Sequence, residues 1–223
     1  MNHFVSYWPY YAIILAAVLG LLAAFFLPKW SMSLRLKKQG RSGEAKVAAI
    51  LKNFAFSHGY RVINDISIPL YDGCTQIDHI LIGEFGLLVV ETKSHKGDIY
   101  AEPREKEWVQ NVRGKKEKMY NPLLQNKTHV DALRYQLQKH EIYKVPIDSL
   151  VVFSGANKKN LYIEQGHPIM DIRLLKKYLN KNERYIRDNG VNVQKLYDFL
   201  KSIAVTDPKV LKQHNKDVAK RSK

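Results

Sequence analysis

An uninterrupted run of apolar and aromatic side chains fills residues 11–27. With the aromatic residues before it, about 20 residues are available, enough to cross ~30 Å of hydrocarbon at 1.5 Å per residue. Trp8 stands at one end of the run and Trp30 just beyond the other, as aromatic residues do at membrane interfaces. The pattern predicts one N-terminal transmembrane helix, with an anchor over residues 1–30 and residues 8–28 in the membrane.

The charges around this run lie on one side of it. Residues 1–28 contain no Lys, Arg, Asp or Glu, whereas a basic juxtamembrane linker, residues 31–41, follows the run. The positive-inside rule then predicts a single-pass plasma-membrane protein with its N-terminus outside and its C-terminal domain in the cytoplasm. Residues 29–41 would lie near anionic lipid. A cleaved signal peptide or a buried core helix stays open, although the segment lacks a positive n-region and a small-residue cleavage site.

Downstream of residue 41 the pattern changes to short alternating helices and strands. Apolar residues at i, i+3, i+4 and i+7 predict an amphipathic helix that begins near Ser42; they are Val47, Ile50, Leu51 and Phe54. Two apolar runs, residues 75–82 and 87–94, flank the loop 83–86 and predict a β-hairpin. The other predicted elements are strands at 61–70 and 150–153 and helices at 122–139, 171–180 and 190–203.

These elements predict a mixed α/β domain over residues 42–204, followed by a basic tail over residues 205–223. The net charge of the 223-residue chain is +15, and 45% of its residues are hydrophobic. A core of that size excludes a disordered polycation, and a single cysteine excludes a disulfide-stapled secreted domain. The basic balance favours nucleic acid or anionic lipid as a partner.

The predicted hairpin places two carboxylates and a lysine close together. If residues 83–86 form a four-residue loop, Asp78 lies directly opposite Glu91, and Gln76 lies opposite Lys93. Carboxylates at that distance repel each other, and a hard divalent cation such as Mg²⁺ relieves the repulsion. The spacing therefore predicts a metal site that uses Asp78 and Glu91.

Other polar residues have two interpretations each. Glu44, at the edge of the apolar stripe of the first helix, either points into a cleft beside the hairpin or only favours the helix N-terminus. His129 lies one helical turn after Gln125 and can line the same cleft, whereas His79 points to the strand face opposite Asp78. Trp108 is predicted to pack in the core, and the mixed charges around it to form a solvated face.

Five blocks of the sequence occur in a recognisable order. They are Gly43-Glu44; Gln76-Ile77-Asp78-His79 with Gly83-x-Phe85-Gly86; Glu91-Thr92-Lys93; Trp108; and Asn121-Pro122-x-x-Gln125-Asn126-x-x-His129. Together they resemble the nuclease-related domain (NERD) family, which is similar to the restriction-endonuclease-like, PD-(D/E)xK, superfamily. The resemblance covers roughly residues 40–140 and extends neither to the apolar segment nor to the basic tail. Ile77 stands where the wider superfamily often has proline.

The resemblance implies a restriction-endonuclease-like core, a central mixed sheet with a hairpin and flanking helices. It also implies that Asp78 and Glu91 hold Mg²⁺ or Mn²⁺, and that Lys93 orients or activates the attacking water and stabilises charge on the phosphate. The full set of predicted site residues is Asp78 and Glu91 for the metal, Lys93, Gln125 and Glu44 for catalysis, and Gln76 and His129 as accessory residues.

These observations predict a membrane-anchored, cytoplasm-facing, Mg²⁺-dependent nuclease that hydrolyses phosphodiester bonds of DNA rather than RNA. The alternative is a catalytically silent NERD module that tethers nucleic acid or a protein partner at the membrane. The presence of Asp78, Glu91 and Lys93 favours the enzyme, because a silent module would be free to lose any of them.

Overall fold

The computed structural model describes residues 8–221. Helix α1 runs from Trp8–His58, so the predicted helix start near Ser42 is wrong. By its internal contacts the chain divides between Arg41 and Ser42. None of the helices in the described residues is long and apolar enough to cross a membrane. Most side chains of the predicted span, residues 8–28, lie outside the described residues.

The C-terminal unit contains nine described strands and four further α-helices. The strands are β1 Arg61–Pro69, β2 Cys74–Gly83, β3 Gly86–Lys93, β4 Asp98–Ala101, β5 Glu107–Val112, β6 Lys115–Tyr120, β7 Ile147–Phe153, β8 Leu161–Ile163 and β9 Ile169–Asp171. The helices are α2 Pro122–Lys139, α3 Ile172–Lys181, α4 Val193–Ser202 and α5 Pro208–Arg221. The predicted basic tail is therefore largely helical.

The main sheet has five strands in the order β1-β2-β3-β7-β9. The first three strands are antiparallel neighbours, whereas β7 runs parallel to both β3 and β9. One face of the sheet packs against α3 and the C-terminal part of α1, residues 47–55, and the other face packs against α2 and α4. This mixed sheet flanked by helices confirms the predicted α/β fold.

The register of the predicted hairpin is confirmed. Ile82 pairs with Leu87, and the ladder between β2 and β3 extends to Gly83 and Gly86, so the loop has two residues instead of four. At its other end the ladder stops at His79 and Val90. Asp78 and Glu91 are the next positions beyond the end of the ladder and are not a regular cross-strand pair, but the charge of Glu91 raises the pKa of Asp78, so the two carboxylates lie near each other as predicted.

A second, four-stranded sheet was not predicted from the sequence. Its strand order is β6-β5-β4-β8, and it packs on the main sheet through Ile99, Trp108 and Met119. Trp108 is 1% exposed, which confirms its predicted place in the core. On the outside, charged side chains pair with each other, Lys115 with Glu117 and Lys118 with Glu107, as expected of a solvated face.

Candidate active site

Asp78 lies where the regular pairing of β2 breaks on both sides. β1 pairs with β2 before and after this point, but the pair Asp65 and Asp78 is omitted. Asp65 has a φ of 53°, a left-handed conformation that interrupts the pleat. The alternation of faces changes across the break, because Ile77 packs in the same core as Ile80. Because of this break, the direction of the Asp78 side chain does not follow from the alternation of the neighbouring residues of β2.

The Asp78 carboxylate binds to the backbone of β3 and not to a side chain opposite. Its Oδ2 accepts a hydrogen bond of 2.8 Å from the Thr92 N–H. Burial, and then the negative charges of Glu91 and Glu44, raise the pKa of Asp78 to about 8, although the Thr92 N–H and Lys93 act in the opposite direction. In the metal-free protein the ionised form of Asp78 is therefore disfavoured at neutral pH.

Glu91 is 2% exposed and has a partner for each oxygen. Oε1 lies 2.7 Å from Lys93 Nζ, and Oε2 accepts a hydrogen bond of 3.1 Å from His129 Nε2. Burial alone would raise the pKa of Glu91, but Lys93 and His129 outweigh it and lower that pKa to about 2. Glu91 is thus a buried, ionised carboxylate, whereas its neighbour Asp78 resists ionisation.

Lys93 connects the end of β3 to helix α2. Its Nζ donates a hydrogen bond of 2.8 Å to Gln125 Oε1 and is also paired with Glu91. Asn121 caps the helix, since its side chain accepts from the Leu123 N–H at 2.9 Å. The buried side chain of Asn126 then donates to the Val89 carbonyl of β3 at 3.1 Å. These contacts fix the register of α2, so that Gln125 reaches Lys93.

His129 ties Glu91 to a residue that the sequence analysis missed. Thr75 Oγ1 lies 2.8 Å from His129 Nδ1, and both side chains are buried. Because the ionised Glu91 accepts from Nε2, a singly protonated ring accepts from the Thr75 hydroxyl at Nδ1. The sequence signal for Thr75 is weak, since threonine is an ordinary strand residue. The contact of Thr75 with His129 depends on where α2 packs, and the pattern of residues along the strands does not predict that position.

Glu44 approaches the site because α1 packs closely at Gly43. A Cβ atom at residue 43 would collide with the hydroxyl group of Ser154. The Ser154 N–H in turn donates to the Lys93 carbonyl at 2.8 Å. Glu44 is exposed and close enough to help raise the pKa of Asp78. Because α1 begins at Trp8, Glu44 does not lie at a helix N-terminus, and the interpretation that it only favours such a terminus is wrong.

Of two other polar residues on β2, Gln76 and His79, the first departs from its predicted position. Gln76 is exposed and donates to the Asp65 carboxylate, and the ladder between β2 and β3 ends before it, so Gln76 is not a regular cross-strand partner of Lys93. The break at Asp78 is the physical reason, because alternation cannot be extended through it. His79 bonds to the Thr92 hydroxyl at 3.1 Å, and burial lowers its pKa to about 4.

The donor atoms at this site are mostly oxygens of carboxylates and an amide. Among the described residues, no group of three or more His, Cys, Asp or Glu side chains is arranged to hold a metal ion. Mg²⁺ typically uses one or two protein carboxylates and takes its other ligands from water and substrate phosphates. The two carboxylates, Asp78 and Glu91, fit that requirement.

The buried contact between His129 and Glu91 predicts a measurable loss of stability. His129→Leu removes the hydrogen bonds to Glu91 and Thr75 and leaves a buried carboxylate oxygen without its donor. We expect the free energy of unfolding in urea at pH 7 to fall by about 2–3 kcal/mol. Thr128→Ala, an exposed change on the same helix, is the control and should stay within about 0.5 kcal/mol of the wild type. Equal effects of the two changes would contradict the assignment.

Comparison with known proteins places this site inside a defined region. The sequence model of the family described as nuclease-related domain, NERD, matches residues 39–154. An uncharacterized protein of Bacillus anthracis is 27% identical over 194 residues, which are 85% of this chain and 84% of the relative. The family match includes every residue described above as part of the site.

Proposed function

The chain belongs to the nuclease-related domain family, and from that premise we propose that it is a membrane-anchored nuclease that hydrolyses phosphodiester bonds of DNA with Mg²⁺ or Mn²⁺. The observation that carries the proposal is the buried Glu91–Lys93 ion pair, 2.7 Å long, beside Asp78, whose raised pKa shows that its ionised form is disfavoured. A lysine and a carboxylate two residues apart on one strand, with a second carboxylate nearby, suit hydrolysis of a phosphate ester.

Asp78 and Glu91 would hold the metal ion. The raised pKa of Asp78 supports this assignment, because a divalent cation would offset the burial and the repulsion that disfavour its ionised form. When bound, Mg²⁺ supplies Lewis acidity toward the phosphate and increases the acidity of an attacking water. Glu44 would add a further acceptor for water at the exposed side of the site.

Lys93 would provide the positive charge on the substrate side. Gln125 Oε1 and Glu91 Oε1 hold its ammonium group from two directions, at 2.8 and 2.7 Å. An ammonium group fixed in this way can orient a water molecule and stabilise the charge that develops on the phosphate oxygens. Gln125 is therefore a positioning residue, and His129 plays the same role for Glu91.

One observation favours the second candidate, a silent module that binds nucleic acid without cleaving it. Both oxygens of Glu91 already accept hydrogen bonds, from Lys93 and His129. Each carboxylate oxygen has a second lone pair, so these contacts leave capacity for a metal ion. The nuclease therefore remains the better-supported function.

The full chain in neutral detergent provides the test. Linear and circular DNA and a matched RNA are incubated with the protein in EDTA, Mg²⁺ or Mn²⁺, and the products are separated on gels. Cleavage of DNA that depends on the metal is the expected result. DNA binding without cleavage in any metal would instead support the silent module.

The anchor of the proposed enzyme is the apolar segment, residues 8–28. Because the lysines and arginines follow the segment, we propose that the nuclease domain faces the cytoplasm, with residues 29–41 near anionic lipid. In intact cells, an external protease should remove a tag at the N-terminus and spare a tag at the C-terminus. The reverse pattern would contradict this orientation, and a mature chain that lacks residues 1–28 would indicate a cleaved signal peptide.

A further inference from the structure

Helix α5 has half-buried apolar residues on one side and exposed lysines on the other. Asp207 starts it, because its carboxylate accepts from the Lys209 N–H at 2.8 Å, and Pro208 occupies the first turn. Val210 and Leu211 are half-buried toward the rest of the domain. On the opposite side, three of the described side chains are lysines.

The exposed side of α5 forms a stripe of lysines. Lys209, Lys212 and Lys216 are all exposed and lie at i, i+3 and i+7, within about 60° of arc at 3.6 residues per turn. The stripe extends about 10 Å along the axis, and the sequence continues the spacing with a lysine at position 220. None of the three exposed lysines forms a salt bridge with another described residue, in contrast to the paired Lys115 and Lys118.

The stripe belongs to a helix that contacts the strand of the site. α5 packs against β2, which carries Asp78. Just before the helix, the Val205 N–H donates to the Ser67 carbonyl at 2.8 Å, and Ser67 is the partner of Gln76 on β2. The chain therefore enters α5 beside the edge strand β1, level with Gln76, which lies two residues before Asp78 on β2.

We infer that Lys209, Lys212 and Lys216 bind the phosphate backbone of the nucleic acid whose cleavage is proposed for the site, an inference that rests on the proposed function. The three cations extend over about 10 Å, which is about three phosphate-to-phosphate steps at 3.4 Å per step along the axis of one DNA strand. Contacts of this kind do not read bases; they hold and orient the duplex. The stripe would hold a duplex whose scissile phosphate enters the site at β2.

An anionic membrane is the competing partner for such a stripe, since lysines attract lipid phosphates equally well. The contact of α5 with β2 favours nucleic acid, because the stripe is attached to the strand that carries the site. The chain also offers a matched control. Helix α3 has three exposed lysines, Lys176, Lys177 and Lys181, and packs against β7 and β9 at the far edge of the sheet.

The experiment compares two variants of the full chain in neutral detergent. One carries Lys→Gln at residues 209, 212 and 216, the other Lys→Gln at residues 176, 177 and 181, so that both lose three charges. Binding to a fluorescent 20-base-pair duplex is titrated in EDTA at several salt concentrations. For the α5 variant we expect about tenfold weaker binding or more, and a slope of log K on log salt reduced by about 2–3. The α3 variant should match the wild type.

Cleavage of the same duplex with Mg²⁺ separates this inference from the proposed function. If the wild type cleaves but the α5 variant binds DNA normally, the inference is overturned while the nuclease stands, and a lipid surface becomes the partner of the stripe. If the wild type never cleaves but the α5 variant alone loses affinity, the stripe is supported while the nuclease is not. Equal losses in both variants, or a wild type that does not bind DNA, would also overturn the inference.

Discussion

Asp78→Asn should make the metal-free protein more stable at pH 8 and remove most of its stabilisation by Mg²⁺. The substitution keeps an oxygen that can accept from the Thr92 N–H. It removes the charge that burial and the neighbours Glu91 and Glu44 disfavour. We expect the free energy of unfolding in EDTA at pH 8 to rise by on the order of 2 kcal/mol.

The pH dependence of this gain in the free energy of unfolding follows from the raised pKa of Asp78. The pKa of Asp78 is about 8 in the folded protein, far above the value of about 3.9 in an unfolded chain. The folded state therefore binds the extra proton, and the wild type loses stability as the pH rises from about 4 to about 8. Urea unfolding curves in EDTA between pH 4 and pH 9 should show the Asn variant and the wild type converging at the acidic end.

Glu91→Gln is the informative comparison, because it should act in the opposite direction. The pKa of Glu91 is lowered to about 2 in the fold, so its ionised form stabilises the protein above about pH 4.3, and this stability is lost as the pH falls toward 2. At neutral pH the Gln variant should be less stable, since Lys93 loses its buried partner. Shifts of the same sign in both variants at pH 8 would contradict the assigned charge states.

Divalent ions provide the second readout of the same variants. A metal ion that binds only the folded state raises the melting temperature by mass action. Mg²⁺ should therefore stabilise the wild type clearly and both variants much less. Equal Mg²⁺-induced shifts in all three proteins would argue against a metal ion held by Asp78 and Glu91.

The opposite pKa shifts of Asp78 and Glu91 could not be predicted from the sequence. The strand pattern predicts the hairpin and its register, and repulsion between two facing carboxylates would by itself make both substitutions neutral or stabilising. The pattern does not contain the break of β2 at Asp78, which depends on the left-handed backbone of Asp65 on another strand. It also does not contain the burial of Glu91 between Lys93 and His129, because His129 arrives on a helix distant in sequence.

The missed elements have a common physical origin. Strands β4 and β5 are only four and six residues long, and β6 consists mostly of charged residues, so no apolar alternation distinguishes the three strands from a solvated loop. Helix α5 was predicted only as a basic tail, because lysines on one side and a few half-buried residues on the other give little apolar signal. In both regions the structure comes from packing against the main sheet and less from local periodicity.

Lys93→Met should reduce the rate of DNA cleavage by about 10²–10³-fold and leave DNA affinity nearly unchanged. Methionine keeps an unbranched apolar stem and removes the ammonium group that lies between Glu91 and Gln125. The loss falls on the reaction step, because a single fixed charge near the phosphate matters most where negative charge develops. Affinity is distributed over many phosphate contacts and depends little on one of them.

The loss of a buried ion pair can also destabilise the protein, so a second variant separates chemistry from folding. Gln125→Ala leaves the Lys93–Glu91 pair in place and removes only the second support of the ammonium group. It should keep the wild-type melting temperature within a few degrees and still lower the cleavage rate, by about tenfold. Lys118→Met, at an exposed lysine paired with Glu107, is the matched charge control and should cleave normally.

Cleavage rates in Mg²⁺ and DNA affinities in EDTA, measured on the same four proteins, decide the mechanism. A fall in rate ordered Lys93→Met, then Gln125→Ala, then Lys118→Met, at nearly constant affinity, is the expected pattern. Full activity of Lys93→Met would rule out the role proposed for Lys93, even if the protein cleaves DNA by another route. A wild type that binds DNA without cleaving it, and a Lys93→Met protein that behaves like Lys118→Met, would identify the silent module instead.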